Sequence, residues 1–226
     1  GNRRTWTWSC WAKRSSVADS NWRGFFTAIN PDNAARNDGI WYSGSGTYPS
    51  DQLYIRFGDG TDIQFSPLYR DVSAWYHIVV SVDTTQSTAS DRIKAYVNGV
   101  QLSVASGSQP AQNYEAGINN TTSHSIGRRD TSNAQFFDGY LGNVYFIKGQ
   151  SLAASDFGAY NDNNIWQPKE YSGSYGTNGF YLEFDDNSND AALGTDSSGN
   201  NNTWTVNNLT ATSQDELVIP SSEVTT

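Results

Sequence analysis

Two carboxylates stand at alternate positions in Glu183-Phe184-Asp185. If that run is a strand, both project from one face, an arrangement that can flank a glycosidic bond during hydrolysis. Three residues further on stands Ser188, whose hydroxyl does not protonate a leaving group. His77 is one of only two histidines. It has no serine or cysteine nucleophile at a recognisable spacing, so it reads as structural. Cys10 is the only cysteine. It excludes an internal disulfide and a cysteine zinc cluster, and reads as a small buried hydrophobe. The chain has no Gly-x-Ser-x-Gly, no phosphate-binding loop and no His-Glu-x-x-His.

What remains is aromatic. Trp22, Trp41, Tyr42, Tyr48 and Tyr54 lie in or beside polar loops rich in Asn, Asp and Arg. A sugar's apolar face stacks on such rings while amides and charged groups bind its hydroxyls. Each ring would be equally at home in a core. As a set they are the candidate carbohydrate-binding patch.

The elements that must hold these residues are strands. Of 226 residues only 36% are apolar, but 14% are aromatic, so the core rests on a few large side chains. Twenty glycines, no methionine and 16% charged residues point to many turns and few helices. The net charge of −9 is the opposite of a nucleic-acid binder's balance, and it opposes an anionic membrane surface. No apolar run is long enough to span a bilayer.

Short alternating runs recur along the chain. Trp6 to Ala12 and Gly24 to Ile29 read as strands, then a polar loop from Asn30 to Asp38, then a strand at Gly39 to Tyr42. Leu53, Ile55 and Phe57 share one face; after an Asp59-Gly60 turn, Ile63 and Phe65 point inward. Trp75 to Asp83 is the strongest strand, with Ile78, Val80 and Val82 on one face and His77 on the other. Asn98-Gly99 marks a hairpin. Short and long strands are expected at Ser125 to Arg128 and Phe136 to Ile147, and a last one at Gly179 to Phe184. Ser151 to Gly158 is the only helical hint, a turn or two capped by Ser151 and ended by Gly158. No helix is long enough for a parallel crossover, so the sheets are expected to be antiparallel.

Trp75-Tyr76-His77-Ile78-Val79-Val80, then Asp83, then Ile93 to Asn98-Gly99, resembles the central strands of laminin-G-like domains in the concanavalin A-like lectin and glucanase superfamily. Phe137-Asp138-Gly139-Tyr140-Leu141 followed by Ser151-Leu152 resembles the closing segment of that family. The resemblance covers about residues 5 to 160 and implies an all-β, antiparallel, two-sheet jelly-roll sandwich. It implies one domain over 1–209, with 160–209 as its C-terminal extension and 210–226 as a polar tail or linker. Enzymes of the superfamily carry Glu-x-Asp-x-x-Glu, which is incomplete here at Glu183, Asp185 and Ser188. Calcium is the cofactor the resemblance implies, with Asp62, Asp83 and Asp138 as candidate ligands.

The runs Asn2-Arg-Arg-Thr-Trp-Thr and Ser197-Ser-Gly-Asn-Asn-Asn are similar to modules of marine bacteriophage structural proteins. In those a strand usually precedes the Asn-Arg-Arg segment; here Phe180 to Trp204 is expected to supply it or to lead towards a following module. The resemblance therefore implies a non-enzymatic carbohydrate-binding or adhesion module on a virion surface or outside the cell. Its partners would be host glycan, other virion subunits or further copies of the chain. The alternative is a purely structural virion subunit that binds only protein neighbours.

Overall fold

The computed structural model describes residues 2–17, 20–44, 49–129 and 134–211. Its strands, in chain order, are β1 (Thr5–Arg14), β2 (Arg23–Asn30), β3 (Asn33–Tyr42), β4 (Gln52–Arg56), β5 (Asp62–Leu68), β6 (Tyr76–Asp83) and β7 (Ile93–Val97). There follow β8 (Val100–Gln101), β9 (Val104–Gly107), β10 (His124–Ile126), β11 (Gly139–Lys148), β12 (Gly158–Tyr160), β13 (Trp166–Pro168) and β14 (Phe180–Leu182). Two six-stranded antiparallel sheets face each other as a jelly-roll sandwich. Sheet A runs β14-β11-β1-β6-β7-β8 and sheet B runs β10-β2-β3-β4-β5-β9, while β12 and β13 form a separate ribbon.

Alternation explains the core. Trp6, Trp8, Cys10 and Ala12 of β1 point between the sheets, where they meet Phe25 and Phe26, Leu53 and Ile55, Ile63 and Phe65, and Ile78, Val80 and Val82. All are buried; alternation accounts for all but the consecutive Phe25 and Phe26, which a register shift in β2 between Gly24 and Phe26 turns to the same side. Asn98 and Gly99 both adopt positive φ, 48° and 81°, and turn β7 into β8.

Three expectations change. The segment from Asn30 to Asp38 is not a loop: β3 begins at Asn33, after a two-residue turn. The Asn30 side-chain oxygen accepts the N–H groups of Asp32 (2.9 Å) and Asn33 (3.0 Å) and closes that turn tightly. The polar residues survive in a sheet because they are paired: Asp38 accepts from Asn30 Nδ2 at 3.0 Å and from the Gly117 N–H. The helical hint is a single 3-10 turn, Ala154–Asp156, and its cap is Ala153 rather than Ser151. The Asp156 carboxylate accepts the Ala153 N–H at 2.9 Å. Gly158 starts β12.

The segment Phe180 to Trp204 does reach a sheet edge. β14 pairs antiparallel with β11 through Val144↔Leu182 and Phe146↔Phe180. The run Ser197 to Asn202 fastens it there. Asp196 accepts the Tyr181 and Asn202 N–H groups at 2.9 and 2.8 Å, and Asn200 and Asn202 both donate to the Gly179 carbonyl at 2.9 Å. Of the polar tail expected over 210–226, residues 212–226 lie outside the described residues.

Sheet A is covered on its outer face as well. Val79, Tyr145, Ile147 and Tyr181 are buried there beneath Ala154, Phe157 and Tyr171. His77 belongs to this layer, stacked between Trp11 and Trp166 with ring centroids 5.0 and 5.9 Å away. Trp166 Nε1–H donates to His77 Nδ1 at 2.9 Å, so Nε2 carries the ring proton and donates to Ser9 Oγ at 2.9 Å. An imidazole that is already a donor towards a serine cannot act as its base, so Ser9 and His77 form a structural contact. Burial lowers the His77 pKa to about 3. In the unfolded chain the ring titrates near 6.5. Between these values the unfolded chain binds a proton that the folded chain does not, so stability falls as pH falls, by about 1.4 kcal/mol per unit.

Two measurements check this layer and the ion pair that joins the sheets. The folding free energy from urea titration should drop by about 2 kcal/mol more between pH 7 and pH 5 in the parent than in His77→Phe, whose position no longer titrates. Arg14 and Asp51, 2% and 1% exposed, form a buried ion pair at 2.8 Å that ties β1 to the segment before β4. Asp51→Ala should cost about 3–5 kcal/mol in the same assay, because Arg14 is left charged and buried.

Candidate functional site

Three sequence candidates meet on the outer face of sheet B, and two of them, Trp41 and Tyr54, are buried there. Trp41 of β3 and Tyr54 of β4 are cross-strand neighbours, their ring centroids 6.2 Å apart. Trp22, from the segment entering β2, stands edge-on to Tyr54 at 4.7 Å. Gly39, two residues before Trp41, lies on the same face. A side chain there would begin 2.9 Å from the Trp41 ring and 2.5 Å from the Phe26 carbonyl. The missing side chain is what lets the indole lie back across the sheet.

These rings, with Asn37, Arg56, Arg129 and Gln135, line a depression of about 210 Å³. That is below the range of pockets that engulf a drug-sized molecule and suits one face of a small ring. Arg56 alternates with Tyr54 on β4 and donates through Nε to Asp62 at 2.9 Å. Arg129 follows β10 and donates through Nε to Asn37 Oδ1 at 3.0 Å. Burial, and then the nearby Arg56 charge, lower the Arg129 pKa from its ordinary value. At the floor, Trp41 Nε1–H is buried with no hydrogen-bond partner among the described residues.

The other candidates lie elsewhere. Tyr42 follows Trp41 by one residue and so points inward. It is fully buried against Phe25 at 4.8 Å, with the Arg14 guanidinium over its ring at 4.8 Å, and takes no part in the surface patch. Tyr48 lies outside the described residues. The three aspartates are not brought together. Asp83 pairs with Thr5 at one end of β1, and Asp138 precedes Gly139, which pairs with Arg14 at the other end. Nine residue steps of strand put them roughly 30 Å apart. Asp62 is engaged by Arg56, Asp83 accepts from Thr85 Oγ1 at 2.6 Å, and Asp138 accepts from Ser16 Oγ at 2.6 Å. Among the described residues no group of three His, Cys, Asp or Glu has metal-holding geometry, so these three do not fit a shared calcium site. Glu183 and Asp185 lie beyond the end of β14, exposed, and Phe184 between them has φ 64°. The backbone turns there, so the two carboxylates do not share a pleated face.

Sequence reasoning missed Gly39, Asn37, Arg56, Arg129 and Gln135. The signal for Arg56 was present, two residues from Tyr54 on one strand. Arg129 had none, since it arrives through the pairing of β10 with β2. A second depression of about 320 Å³ lies near Phe26, Phe146, Phe180 and Trp204. Its asparagines are committed to structure: Asn119 donates to the Asn2 carbonyl at 2.7 Å, and Asn178 to Asn119 at 2.9 Å.

A laminin-G-type family model, described as the concanavalin A-like lectin/glucanases superfamily, matches residues 2–156. The chain belongs to this superfamily. No curated protein matches it at a significant level. Among solved structures, it is similar to a provisionally assigned carbohydrate binding protein from Bacteroides ovatus, with a TM-score of 0.58 at 14% identity. That match covers 88% of this chain and 50% of the other, so the chain spans about half of that protein's length. A CBM40 of a Ruminococcus gnavus sialidase, bound to α2,3 sialyllactose, matches with a TM-score of 0.42 at 16% identity, over 60% of this chain and 71% of the other. Domain 4 of AbnA, a Geobacillus stearothermophilus arabinanase, in complex with arabinotriose, matches with a TM-score of 0.42 at 18% identity, over 66% and 63%. At these identities the likenesses speak to the fold alone.

Within the superfamily fold, the Trp41 platform depends on a bare backbone at position 39. Gly39→Ala should cost about 1–3 kcal/mol through overpacking and shift the tryptophan fluorescence as the indole is displaced. An unchanged spectrum and denaturation midpoint would show that the ring does not rest there.

Proposed function

We propose that the chain is a non-enzymatic carbohydrate-binding module that holds a sugar on the outer face of sheet B. One observation carries the reading: Trp22, Trp41 and Tyr54, from three separate segments, converge on the outer face of sheet B and line one depression with Asn37, Arg56, Arg129 and Gln135. Flat aromatic surface beside a few fixed polar groups is what a sugar ring requires, an apolar face against a ring and hydroxyls against donors. Strand-mounted rings are also held more firmly than rings on loops. The described residues do not assemble the Glu183 and Asp185 carboxylates into a cleft, which supports binding without hydrolysis. The net charge of −9 favours glycan over nucleic acid as the partner.

The virion context is part of the proposal and rests on the phage-like runs Asn2 to Thr7 and Ser197 to Asn202. In that setting the module sits on a virion surface and recognises glycan of the host.

A glycan array probed with the full chain, with and without chelator, tests the reading. Trp22→Ala and Trp41→Ala should each lower binding by about tenfold or more, while thermal melting identifies any variant that has lost its fold. No glycan bound by the parent, together with a stable oligomer in solution, would replace this reading with that of a purely structural subunit. Hydrolysis of a β-glucan would overturn its non-enzymatic part.

A further inference from the structure

β8 and β9 close the same side of the sandwich, as the last strands of sheet A and sheet B, with only Leu102 and Ser103 between them. Every residue of both strands is exposed. The opposite edge of sheet A is different: in β14 the Tyr181 N–H donates to Asp196 at 2.9 Å and its carbonyl accepts the Ser197 N–H at 2.8 Å. A free strand edge is a template for another strand, and chains usually blunt it with lysine, proline or other charge. Neither β8 nor β9 contains any of these. They lie within Ala95 to Tyr114, the longest stretch of the sequence without a charged residue. Of the flanking charges, Asp62 beside Gly107 is paired with Arg56, and Lys94 of β7 with Asp91. Exposed apolar side chains gather at this edge. Val100 and Val104 are 58% and 45% exposed, and exposed Leu68 ends β5, the strand to which β9 is paired. Tyr160, half exposed, reaches the hairpin before β8, its hydroxyl donating to the Asn98 carbonyl at 3.3 Å.

We propose that this edge receives a second copy of the chain, with β9 pairing antiparallel with β9 of the copy about a two-fold axis normal to sheet B. Charge selects the partner. Two chains of −9 repel wherever their charged surfaces meet, and that repulsion is least along this edge. An uncharged surface offers nothing for an oppositely charged protein to read, but it complements itself. A stable interface covers about 800 Å² on each partner, more than four paired residues supply. Leu68, Val100 and Tyr160 are therefore covered together with β9. Sheet B then continues across the pair, and the outer faces of the two copies look the same way. The proposal stands whether or not those faces hold sugar.

Sedimentation velocity of the full chain tests this. Dimer should form at concentrations up to about 100 µM and tighten as salt is raised, since salt screens the repulsion of the two net charges. Val104→Lys should weaken the dimer about tenfold or more, because each substitution is met twice across the axis, while thermal melting stays at the parent value. Val100→Lys should act in the same direction. Cys10 is buried, so the thiol of Ala105→Cys is the one open to a short bis-maleimide. Ala105→Cys should be linked to its copy, and Ser188→Cys, on the β14 side, should not. A chain that stays monomeric over this range overturns the proposal. So does a dimer that both lysine variants leave intact, one that salt loosens, or one linked through Ser188→Cys and not through Ala105→Cys.

Discussion

β1 lies in the middle of sheet A and is buried on both faces, and the rest of the molecule is arranged around that constraint. Trp6, Trp8, Cys10 and Ala12 fill the space between the sheets. Thr7, Ser9 and Trp11 point the other way and need partners too. Thr7 Oγ1 donates to the Gln150 carbonyl at 2.8 Å and accepts the Leu152 N–H at 2.8 Å; Ser9 and Trp11 meet His77. Buried polar atoms must be paired, so the chain after β11 is drawn across this face. The 3-10 turn, the β12–β13 ribbon and the tyrosines beyond it follow.

Sheet B solves a different problem. Trp41 and Tyr54 are only 3% and 2% exposed although they point outward, with Trp22 edge-on to Tyr54 and Arg129 lining the same depression. A ring fixed on several sides has little rotamer freedom left to lose on binding. Gly39 sets the height of the platform, since any Cβ there would meet both the indole and the Phe26 carbonyl. The site is therefore a property of strand register, and the adjoining polar side chains only surround it.

Strand period made much of this legible in the sequence. The inward residues of β4, β5 and β6 fall where alternation puts them, and Asn98-Gly99 turns the chain because both residues tolerate positive φ. The same period separates Trp41 from Tyr42: one residue of offset sends the first outward and the second into the core. Their shared polar neighbourhood hid that difference. The stretch Asn30 to Asp38 looked like a loop because its polar residues find partners only in the folded state, through Gly117 and Arg129, about 80 to 90 residues away. The partners of the acidic residues were hidden for a related reason. Spacing could not reveal that Asp62 would be taken by Arg56, or that β1 would hold Asp83 and Asp138 at opposite ends.

The charge distribution then decides how such a face works. With −9 overall, the long-range field repels an anionic surface, so electrostatic steering cannot gather ligand from a distance. Screening at physiological salt confines that field to about 8 Å. Within this range the nearest charges dominate, and here they are Arg129 and the Arg56–Asp62 pair beside a tryptophan. Recognition is thereby shifted from encounter to contact. A shallow depression of about 210 Å³ offers few contacts, so one such site alone would hold a ligand weakly. Linked sites gain from effective concentration without any new contact.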